Sequence, residues 1–276
     1  MKKIRKKIEQ YRKYTFMSQY DLEYICNTIN RFKPKKILEV GVGFGGTNMI
    51  IKHCLNNMPY NSEMYSVDTN ETITYNEEIK KIGFVINDND IQKVSSKMFL
   101  GYSLPQVIEK IGKDIDMVIL DTTHVLPGEL LDFIICLPFL SSNACVILHD
   151  VVSAYAHDIE DEHILWSTPN AFATCLLFSS VVADKTLEHN FNFKYIFSNI
   201  SSFRINNQTI ENMDNLFYSL LIRWRYFPDK QSLESYNKII LENYGEKYSN
   251  IFKNICKINE IALKRTEKLN KDYISY

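Results

Sequence analysis

The sequence predicts an α/β fold, in which a mostly parallel sheet carries helices on both faces and is followed by a C-terminal helical extension. Short, nearly continuous apolar runs alternate with segments of helical periodicity, which is the pattern of a parallel sheet buried on both sides. Three of these runs end in an aspartate (Asp68, Asp121 and Asp150), and four of the nine glycines lie within residues 41–46. The carboxyl ends of parallel strands share one edge, so we expect these features at one rim.

The composition and charge exclude several classes of protein. With 276 residues, 45% of them hydrophobic and 24% charged, the chain has the profile of one large globular domain with an extension. Its net charge of -1 predicts no nucleic-acid partner, and no apolar stretch is uninterrupted enough to predict a transmembrane segment. Six cysteines without a C-x-x-C pair are typical of a reduced, cytoplasmic protein.

Three segments are predicted along the chain. Residues 1–33 form an N-terminal helical segment, whose helix over 19–33 is ended by Pro34. Residues 34–205 form the α/β domain, and residues 206–276 form the helical extension, which packs on the core or against a partner subunit of a homo-oligomer. We expect helices in the extension over 211–225 and 232–270.

The elements of the α/β domain follow from its apolar runs and turn residues. The strands are predicted at 36–40, 63–68, 115–121 and 144–150, and the helices at 47–55, 101–111, 127–137 and 164–183. The last helix has its start signal at Ser167-Thr168-Pro169, and Ser141-Ser142-Asn143 is predicted as a turn. Residues 84–100 show no clear period, and the charged residues 157–163 are predicted as a solvated loop where a lid would lie.

The glycine cluster satisfies two ligand-binding templates. Gly41, Gly43 and Gly46 match the dinucleotide spacing G-x-G-x-x-G, with Asp68 as the acid that would hold a ribose. Gly41, Gly43 and Gly45 instead match an acid-x-G-x-G-x-G pattern, in which the acid is Glu39. A buried carboxylate is costly unless it meets a positive or hydrogen-bonding partner. Glu39 therefore favours a ligand with an ammonium group over a pyrophosphate.

A second group of polar residues follows the last two predicted strands. Asp121 and His124 come after one strand, and His149 and Asp150 end the next. Two carboxylates and two imidazoles at one rim could hold a divalent cation, act as a general base, or both.

At these residues the chain resembles the class I S-adenosylmethionine-dependent methyltransferases, over about residues 19–155. The resemblance implies a Rossmann-like sheet and S-adenosylmethionine as the cofactor. It also implies the cofactor contacts. Residues expected around the methionyl and ribose portions are Glu39, Gly41, Gly43 and Gly45, the ribose would be held by Asp68, and the adenine would lie near Tyr102 and Ser103.

The pairing of the two later strand ends is similar to a subgroup that includes macrolide and glycan O-methyltransferases and cephalosporin hydroxylase-like proteins. Members show Asp-Gly-x-His after the fourth strand and His-Asp or an acid pair after the fifth, and some bind magnesium there. Here Thr122 replaces the glycine, and Thr123 stands where some relatives have an acid. The resemblance implies His124, Asp121 and His149 as catalytic residues, with His124 preferred as the base, and Asp121 and Asp150 as ligands of Mg²⁺.

The expected function is therefore S-adenosylmethionine-dependent O-methylation, with a sugar hydroxyl of a surface glycan or of a glycosylated small molecule as the acceptor. Two alternatives remain. An NAD-dependent oxidoreductase shares the glycine turn, although Glu39 argues against it. A non-catalytic Rossmann-like subunit could support assembly through its helical tail.

Overall fold

The computed structural model describes residues 2–152, 172–187 and 199–274. The predicted lid at 157–163 and the predicted helix start at Ser167-Thr168-Pro169 lie outside these residues. No helix within the described ranges is both long and apolar enough to cross a membrane.

In the described part of the chain, nine strands form a large sheet and a separate hairpin. They are β1 (Lys36–Val40), β2 (Ser62–Asp68), β3 (Thr72–Tyr75), β4 (Glu78–Lys81), β5 (Val94–Leu100), β6 (Ile115–Leu120), β7 (Leu140–His149), β8 (Asp184–Leu187) and β9 (Ile200–Arg204). Seven of them pair in the order β5-β2-β1-β6-β7-β9-β8, and β3 and β4 pair with each other. The first five strands of the large sheet are parallel, whereas β9 is antiparallel to both of its neighbours. The predicted mostly parallel sheet is confirmed.

Ten α-helices surround the sheet within the described residues. They are α1 (Lys2–Tyr11), α2 (Gln19–Phe32), α3 (Gly46–Asn56), α4 (Ile108–Ile111), α5 (Gly128–Cys136), α6 (Ala173–Ser180), α7 (Asn207–Glu211), α8 (Asp214–Ser219), α9 (Lys230–Tyr244) and α10 (Glu246–Ile274). The predicted helix ending before Pro34 is confirmed, and a capping box of Ser18 and Asp21 begins it.

Two apolar clusters cover the two faces of the sheet. Successive residues of a strand point to opposite faces, so Val118 of β6 packs in one cluster and Met117 in the other. The cluster of Met117 contains the buried side of α1, α2 and α3. The cluster of Val118 contains α4, α5 and α6 together with side chains of the C-terminal extension, including Trp224 and Phe252. Helices therefore lie on both faces, as predicted.

Some predicted elements differ from those in the structure. Residues 141–143 belong to β7 rather than to a turn, because the strand begins at Leu140. The unassigned region 84–100 contains β5, the edge strand beside β2. In the extension, helices α7 and α8 replace the predicted helix over 211–225, and Gly245 divides the predicted helix over 232–270 into α9 and α10.

The C-terminal extension shares the core of the α/β domain. The Trp224 and Phe252 side chains, at most 1% exposed, pack in the same cluster as the sheet residues. The backbone N–H of Arg225 also donates to the carbonyl of Leu126, in the loop before α5. The boundaries at residues 33 and 205 stay predictions.

Candidate functional site

The glycine cluster forms the turn between β1 and α3, and its backbone requires glycine. Gly41, Gly43 and Gly45 have φ values of 92°, 54° and 94°, in the left-handed region that favours glycine. A Cβ on Gly41 would overlap the backbone carbonyl oxygen of Asp121. The turn after β1 and the loop after β6 are therefore in direct backbone contact.

Glu39 lies beneath this turn, in the penultimate position of β1. Its side chain is 1% exposed, and its Oε2 accepts hydrogen bonds from Nδ2 of Asn48 at 2.6 Å and from Oγ of Ser66 at 2.9 Å. Burial raises the pKa of Glu39 to about 7, against the lowering effect of these two donors. Its Oε1 has no hydrogen-bond partner among the described residues. One buried carboxylate oxygen thus remains to be satisfied.

Asp68, at the end of β2, holds the turn in place. Its Oδ2 accepts from the backbone N–H groups of Val42 at 3.0 Å and Gly43 at 3.3 Å, and its Oδ1 accepts from that of Asn70 at 2.9 Å. A carboxylate has about four lone-pair positions, so roughly one of them is left for a ligand. The predicted ribose acid is therefore also a structural brace of the turn.

Tyr102 and Ser103 lie next to Asp68 at the end of β5. The N–H of Gly101, the residue before them, donates to the backbone carbonyl of Asp68 at 2.9 Å. The Tyr102 side chain is 45% exposed and so can contact a ligand. Ser103 is engaged with the extension, because its Oγ lies 3.0 Å from Oγ of Ser232.

Residues 11–17 cover one side of the glycine turn. A Cβ on Gly46 would overlap the backbone carbonyl of Tyr14, and Oγ1 of Thr15 lies 2.7 Å from Oγ1 of Thr47. The rings of Phe16 and Phe44 have centroids 4.9 Å apart. The N-terminal segment thus encloses the turn on the side of α3.

The predicted second group of polar residues does come together at the ends of β6 and β7. The His149 Nδ1 lies 3.0 Å from Oδ1 of Asp121 and 3.1 Å from Oδ2 of Asp150. The His124 Nε2 lies 2.9 Å from the same Asp150 oxygen and 3.8 Å from Oδ1 of Asp121. We call these four residues the acid–histidine cluster.

The charges in the acid–histidine cluster stabilise one another. Burial lowers the pKa of His124, but Asp150 and Glu129 outweigh it and raise the value to about 10. Burial likewise opposes the rise in the pKa of His149, which Asp121 and Asp150 cause. The pKa of Asp150 is lowered by the two histidines despite burial. His124 is therefore protonated at neutral pH while its Nε2 faces Asp150, and in that arrangement it has no free lone pair with which to accept a proton.

The comparisons with known proteins identify the central part of the chain. Residues 38–151 match a family model described as a methyltransferase domain. The match is to this segment alone, which is less than half of the chain. It contains the glycine turn and the whole acid–histidine cluster, and the prediction of a methyltransferase is confirmed at this level. No curated protein matches the chain.

Three solved structures align with this chain at low sequence identity. The SAH-bound methyltransferase PaMTH1 of Podospora anserina aligns with a TM-score of 0.51 and 13% identity, over 74% of this chain and 88% of its own. The O-methyltransferase TomG of Streptomyces achromogenes, in complex with SAM, aligns with a TM-score of 0.48 and 12% identity, over 75% and 89%. The MycE methyltransferase of mycinamycin biosynthesis, in complex with Mg, SAH and mycinamycin VI, aligns with a TM-score of 0.44 and 13% identity, over 74% and 55%.

Three residues of the methyltransferase domain have the geometry of a metal site. One ligand atom each from Asp121, His124 and Asp150 lies within 4.8 Å of the others. Carboxylate oxygens are the ligands that Mg²⁺ prefers, and an imidazole also suits transition metals. Asn199 donates from Nδ2 to Oδ1 of Asp150 at 2.6 Å and so orients that carboxylate. This donor set fits a divalent cation.

Sequence reasoning missed two acids that contact the histidines. Asp21 of α2 places Oδ2 3.5 Å from Nε2 of His149, and Glu129 of α5 places Oε1 3.0 Å from Nδ1 of His124. Asp21 had a signal of its own in the Ser18 capping box, which by itself indicates only a helix start. Glu129 had a weaker signal, as one of two acids within a mostly apolar helix.

Proposed function

We propose that the chain is an S-adenosylmethionine-dependent O-methyltransferase. The observation that carries the proposal is the backbone contact between Gly41 and Asp121, which brings the glycine turn against the acid–histidine cluster. A bound S-adenosylmethionine supplies a methyl group on a sulfonium, which is already an activated leaving group. The protein must then align the acceptor with that methyl group and take a proton from it.

The residues around the glycine turn fit the cofactor. The unsatisfied Oε1 of Glu39 is a suitable partner for an ammonium group, as is expected of this position from the sequence. Asp68 keeps one acceptor position for a ribose hydroxyl. Tyr102, whose backbone N–H contacts the carbonyl of Asp68, has an exposed aromatic ring. Gly41, Gly43 and Gly45 let the backbone approach the ligand closely.

His124, Asp121 and His149 are the proposed catalytic residues. His124 is 24% exposed at its side chain and reaches the rim, whereas His149 is buried behind it and contacts Asp121. We assign proton removal from the acceptor hydroxyl to His124, with Asp121 and His149 holding the cluster. Because His124 is protonated and ion-paired with Asp150, it can take that proton only after Asp150 is drawn away and the proton already on Nε2 has been released to solvent.

Asp121 and Asp150 are the proposed ligands of Mg²⁺. Their carboxylates provide the oxygen ligands that this cation prefers, and a bound cation lowers the cost of deprotonating a hydroxyl. An ion held by Asp150 would compete with His124 for the same oxygen. The metal and the proposed base are therefore linked through one carboxylate.

The proposed acceptor is a sugar hydroxyl of a surface glycan or of a glycosylated small molecule. Its support is the subgroup resemblance of the sequence around Asp121 and His149. We place the protein in the cytoplasm, since a reducing compartment suits six cysteines that form no disulfide.

A homo-oligomer through the C-terminal helices remains part of the proposal. It is supported by apolar side chains on the outer side of α10, where Ile258 is 53% and Ile261 is 44% exposed. Light scattering coupled to gel filtration would give the mass in solution. A monomer at micromolar concentration would reject this part.

Calorimetry with each cofactor is the first test of the function. We expect S-adenosylmethionine and its demethylated product to bind with a one-to-one stoichiometry, and NAD not to bind. Binding of NAD alone would favour the oxidoreductase, and no binding of either at millimolar concentration would favour a non-catalytic subunit.

Transfer of a labelled methyl group to glycan extracts, with and without EDTA, is the second test. We expect His124→Ala and Asp121→Ala to abolish transfer while the affinity for the cofactor product survives. Asp184→Asn, at an exposed position of β8, is the control and should transfer at the wild-type rate. Equal loss of cofactor binding in the two cluster variants would reject the catalytic assignment, and full activity in EDTA would reject the metal.

A further inference from the structure

Glu129 is a fully buried carboxylate whose contacts all lead to one loop. It lies in the first turn of α5 and is 0% exposed. Burying a charge is costly unless it is paired, so the retention of Glu129 in a mostly apolar helix requires compensating contacts. Those contacts come from the loop of residues 122–124, which contains the proposed base, His124.

A single oxygen of Glu129 makes all of these contacts. Its Oε1 accepts from the backbone N–H of His124 at 2.8 Å and from that of Thr122 at 3.1 Å. The same oxygen lies 3.0 Å from Nδ1 of the His124 ring. Glu129 thus contacts both the backbone and the ring of His124.

The backbone of His124 needs this support. Its φ is 58°, in the left-handed region that a residue with a Cβ enters only at a cost. The carbonyl of His124 also accepts from the N–H of Ala173 at 3.0 Å, so both backbone polar groups of this residue are fixed. With the backbone and Nδ1 held, the opposite ring nitrogen, Nε2, points to the rim and Asp150.

We propose that Glu129 is a positioning residue that holds the backbone and the ring of His124 so that Nε2 is directed at the rim. The effect on catalysis rests on the proposed function, whereas the contacts of Glu129 with His124 do not. A carboxylate that orients the ring of a histidine is an established way of preparing a base. Glu129 does not touch the acceptor, and it acts through His124.

Three variants separate positioning from packing. Glu129→Met keeps the length of the side chain and removes the acceptor, whereas Glu129→Gln keeps an oxygen that can accept the same three contacts. Asp132→Leu is the matched control, since it removes a second buried carboxylate one turn further along α5, where Asp132 contacts Tyr236 rather than the loop.

The measurements are methyl transfer, affinity for S-adenosylhomocysteine, and ¹⁵N NMR of the histidine rings. In Glu129→Met we expect kcat to fall roughly 10²-fold or more, with the acceptor KM and the cofactor affinity within about threefold of wild type. Glu129→Gln should recover at least about tenfold of that loss, and Asp132→Leu should stay within about threefold of wild type. The NMR spectrum should show slowly exchanging protons on both ring nitrogens of His124 in wild type, since they lie against Glu129 and Asp150, and loss of the Nδ1 proton signal through exchange with water in Glu129→Met.

These measurements distinguish a failure of the positioning role of Glu129 from a failure of the proposed methyltransferase function. An equal fall of kcat in Asp132→Leu and Glu129→Met, or a wild-type kcat in Glu129→Met, would overturn the positioning role. A wild-type His124 without a proton on Nδ1 would overturn it even if no variant folds. If the wild-type protein transfers no methyl group, the proposed function fails, while the NMR spectrum still tests the position of the ring.

Discussion

Gly41 shows how much of the site depends on one missing side chain. Its φ of 92° and its contact with the carbonyl of Asp121 both exclude a Cβ. Gly245, between α9 and α10, has a similar φ of 82° but nothing within 4 Å of a Cβ position. Alanine at Gly245 would therefore lower stability only through the backbone conformation, whereas alanine at Gly41 would add the overlap with Asp121.

We expect Gly245→Ala to lower the free energy of unfolding by about 1–3 kcal/mol, because a φ of 82° with a ψ of -179° is a conformation that essentially only glycine adopts. Gly41→Ala should cost about 1–3 kcal/mol more than Gly245→Ala, since the backbone of β1 or of the loop after β6 must also shift. Urea denaturation of both variants measures the difference. Equal losses would mean that the overlap is relieved without cost.

Asp132 makes a pH-dependent contribution to stability. Burial raises its pKa to about 7 from an ordinary value of 3.8, with the negative charge of Glu129 adding to the rise. The folded protein therefore binds a proton there that the unfolded chain releases above about pH 4, and folding becomes less favourable as pH rises from 4 to 7. Above pH 7 the buried carboxylate is charged in both states.

We expect Asp132→Asn to remove this dependence. Between pH 5 and pH 8 the wild-type free energy of unfolding should fall by about 2–3 kcal/mol more than that of the variant. Urea denaturation at the two pH values gives both numbers, and comparison with wild type cancels the groups that titrate in both proteins. Parallel pH dependences would contradict the assignment to Asp132.

At the scale of elements, α1 belongs to the core of the domain. Its Ile8 is 2% exposed and packs in the cluster of α2 and α3, whereas Ile79 on the hairpin strand β4 is 77% exposed. We expect Ile8→Ala to lower the free energy of unfolding by about 3 kcal/mol and Ile79→Ala to change it by less than about 0.5 kcal/mol. Thermal denaturation checks both, and a small loss for Ile8→Ala would mean that α1 is detached in solution.

The elements that the sequence predicts correctly are those with a buried, continuous apolar pattern. Strands β1, β2, β6 and β7 are such runs, and two of the aspartates that follow them meet at one rim, as the contacts of Asp121 and Asp150 with His149 demonstrate. Strand β5 escapes prediction because it is the sheet edge, and its sequence Val-Ser-Ser-Lys-Met-Phe-Leu is mostly exposed in its first half. Its identity as a strand comes from pairing with β2, a long-range contact that local patterning does not report.

The partners of the site residues are less predictable than the residues themselves. Glu39 and Asp68 stand out by their position at strand ends, but their partners do not. Asn48 and Glu129 act through distances that the packed helices define, and Ser66 meets Glu39 through the pairing of β1 with β2. An isolated Asn or Ser in a sequence carries no signal of the carboxylate that it will meet. The residues that contact the cofactor could thus be proposed from their spacing and from the family resemblance. The hydrogen bonds and ion pairs that set the pKa values of Glu39 and His124 could not.

At the scale of the whole molecule, the extension and the α/β domain share one apolar cluster. Trp224 and Phe252 pack with residues of β6 and α5, and we therefore expect the chain to unfold in one transition. In a Trp166→Phe background, Trp224 is the only tryptophan and its fluorescence reports on the extension. The fluorescence midpoint should coincide with that of far-UV circular dichroism.

Phe252→Ala extends this test. This substitution should lower the free energy of unfolding by about 3–5 kcal/mol, because it leaves a cavity in the cluster that the extension shares with the sheet. The fluorescence and circular dichroism midpoints should therefore both move, and by the same amount. Two separate midpoints, with only the fluorescence transition moved, would mean that the extension folds independently of the sheet.

The overlap that excludes a side chain at Gly41 also has a thermodynamic consequence. The turn after β1 and the loop after β6 are in van der Waals contact at their backbones, so a displacement of one requires a displacement of the other. A ligand that shifts the turn therefore changes the affinity of the Asp121 loop for its own ligand. By reciprocity, a ligand at that loop changes the affinity at the turn by the same factor. Titrating one ligand at several fixed concentrations of the other would measure this coupling as a single free energy.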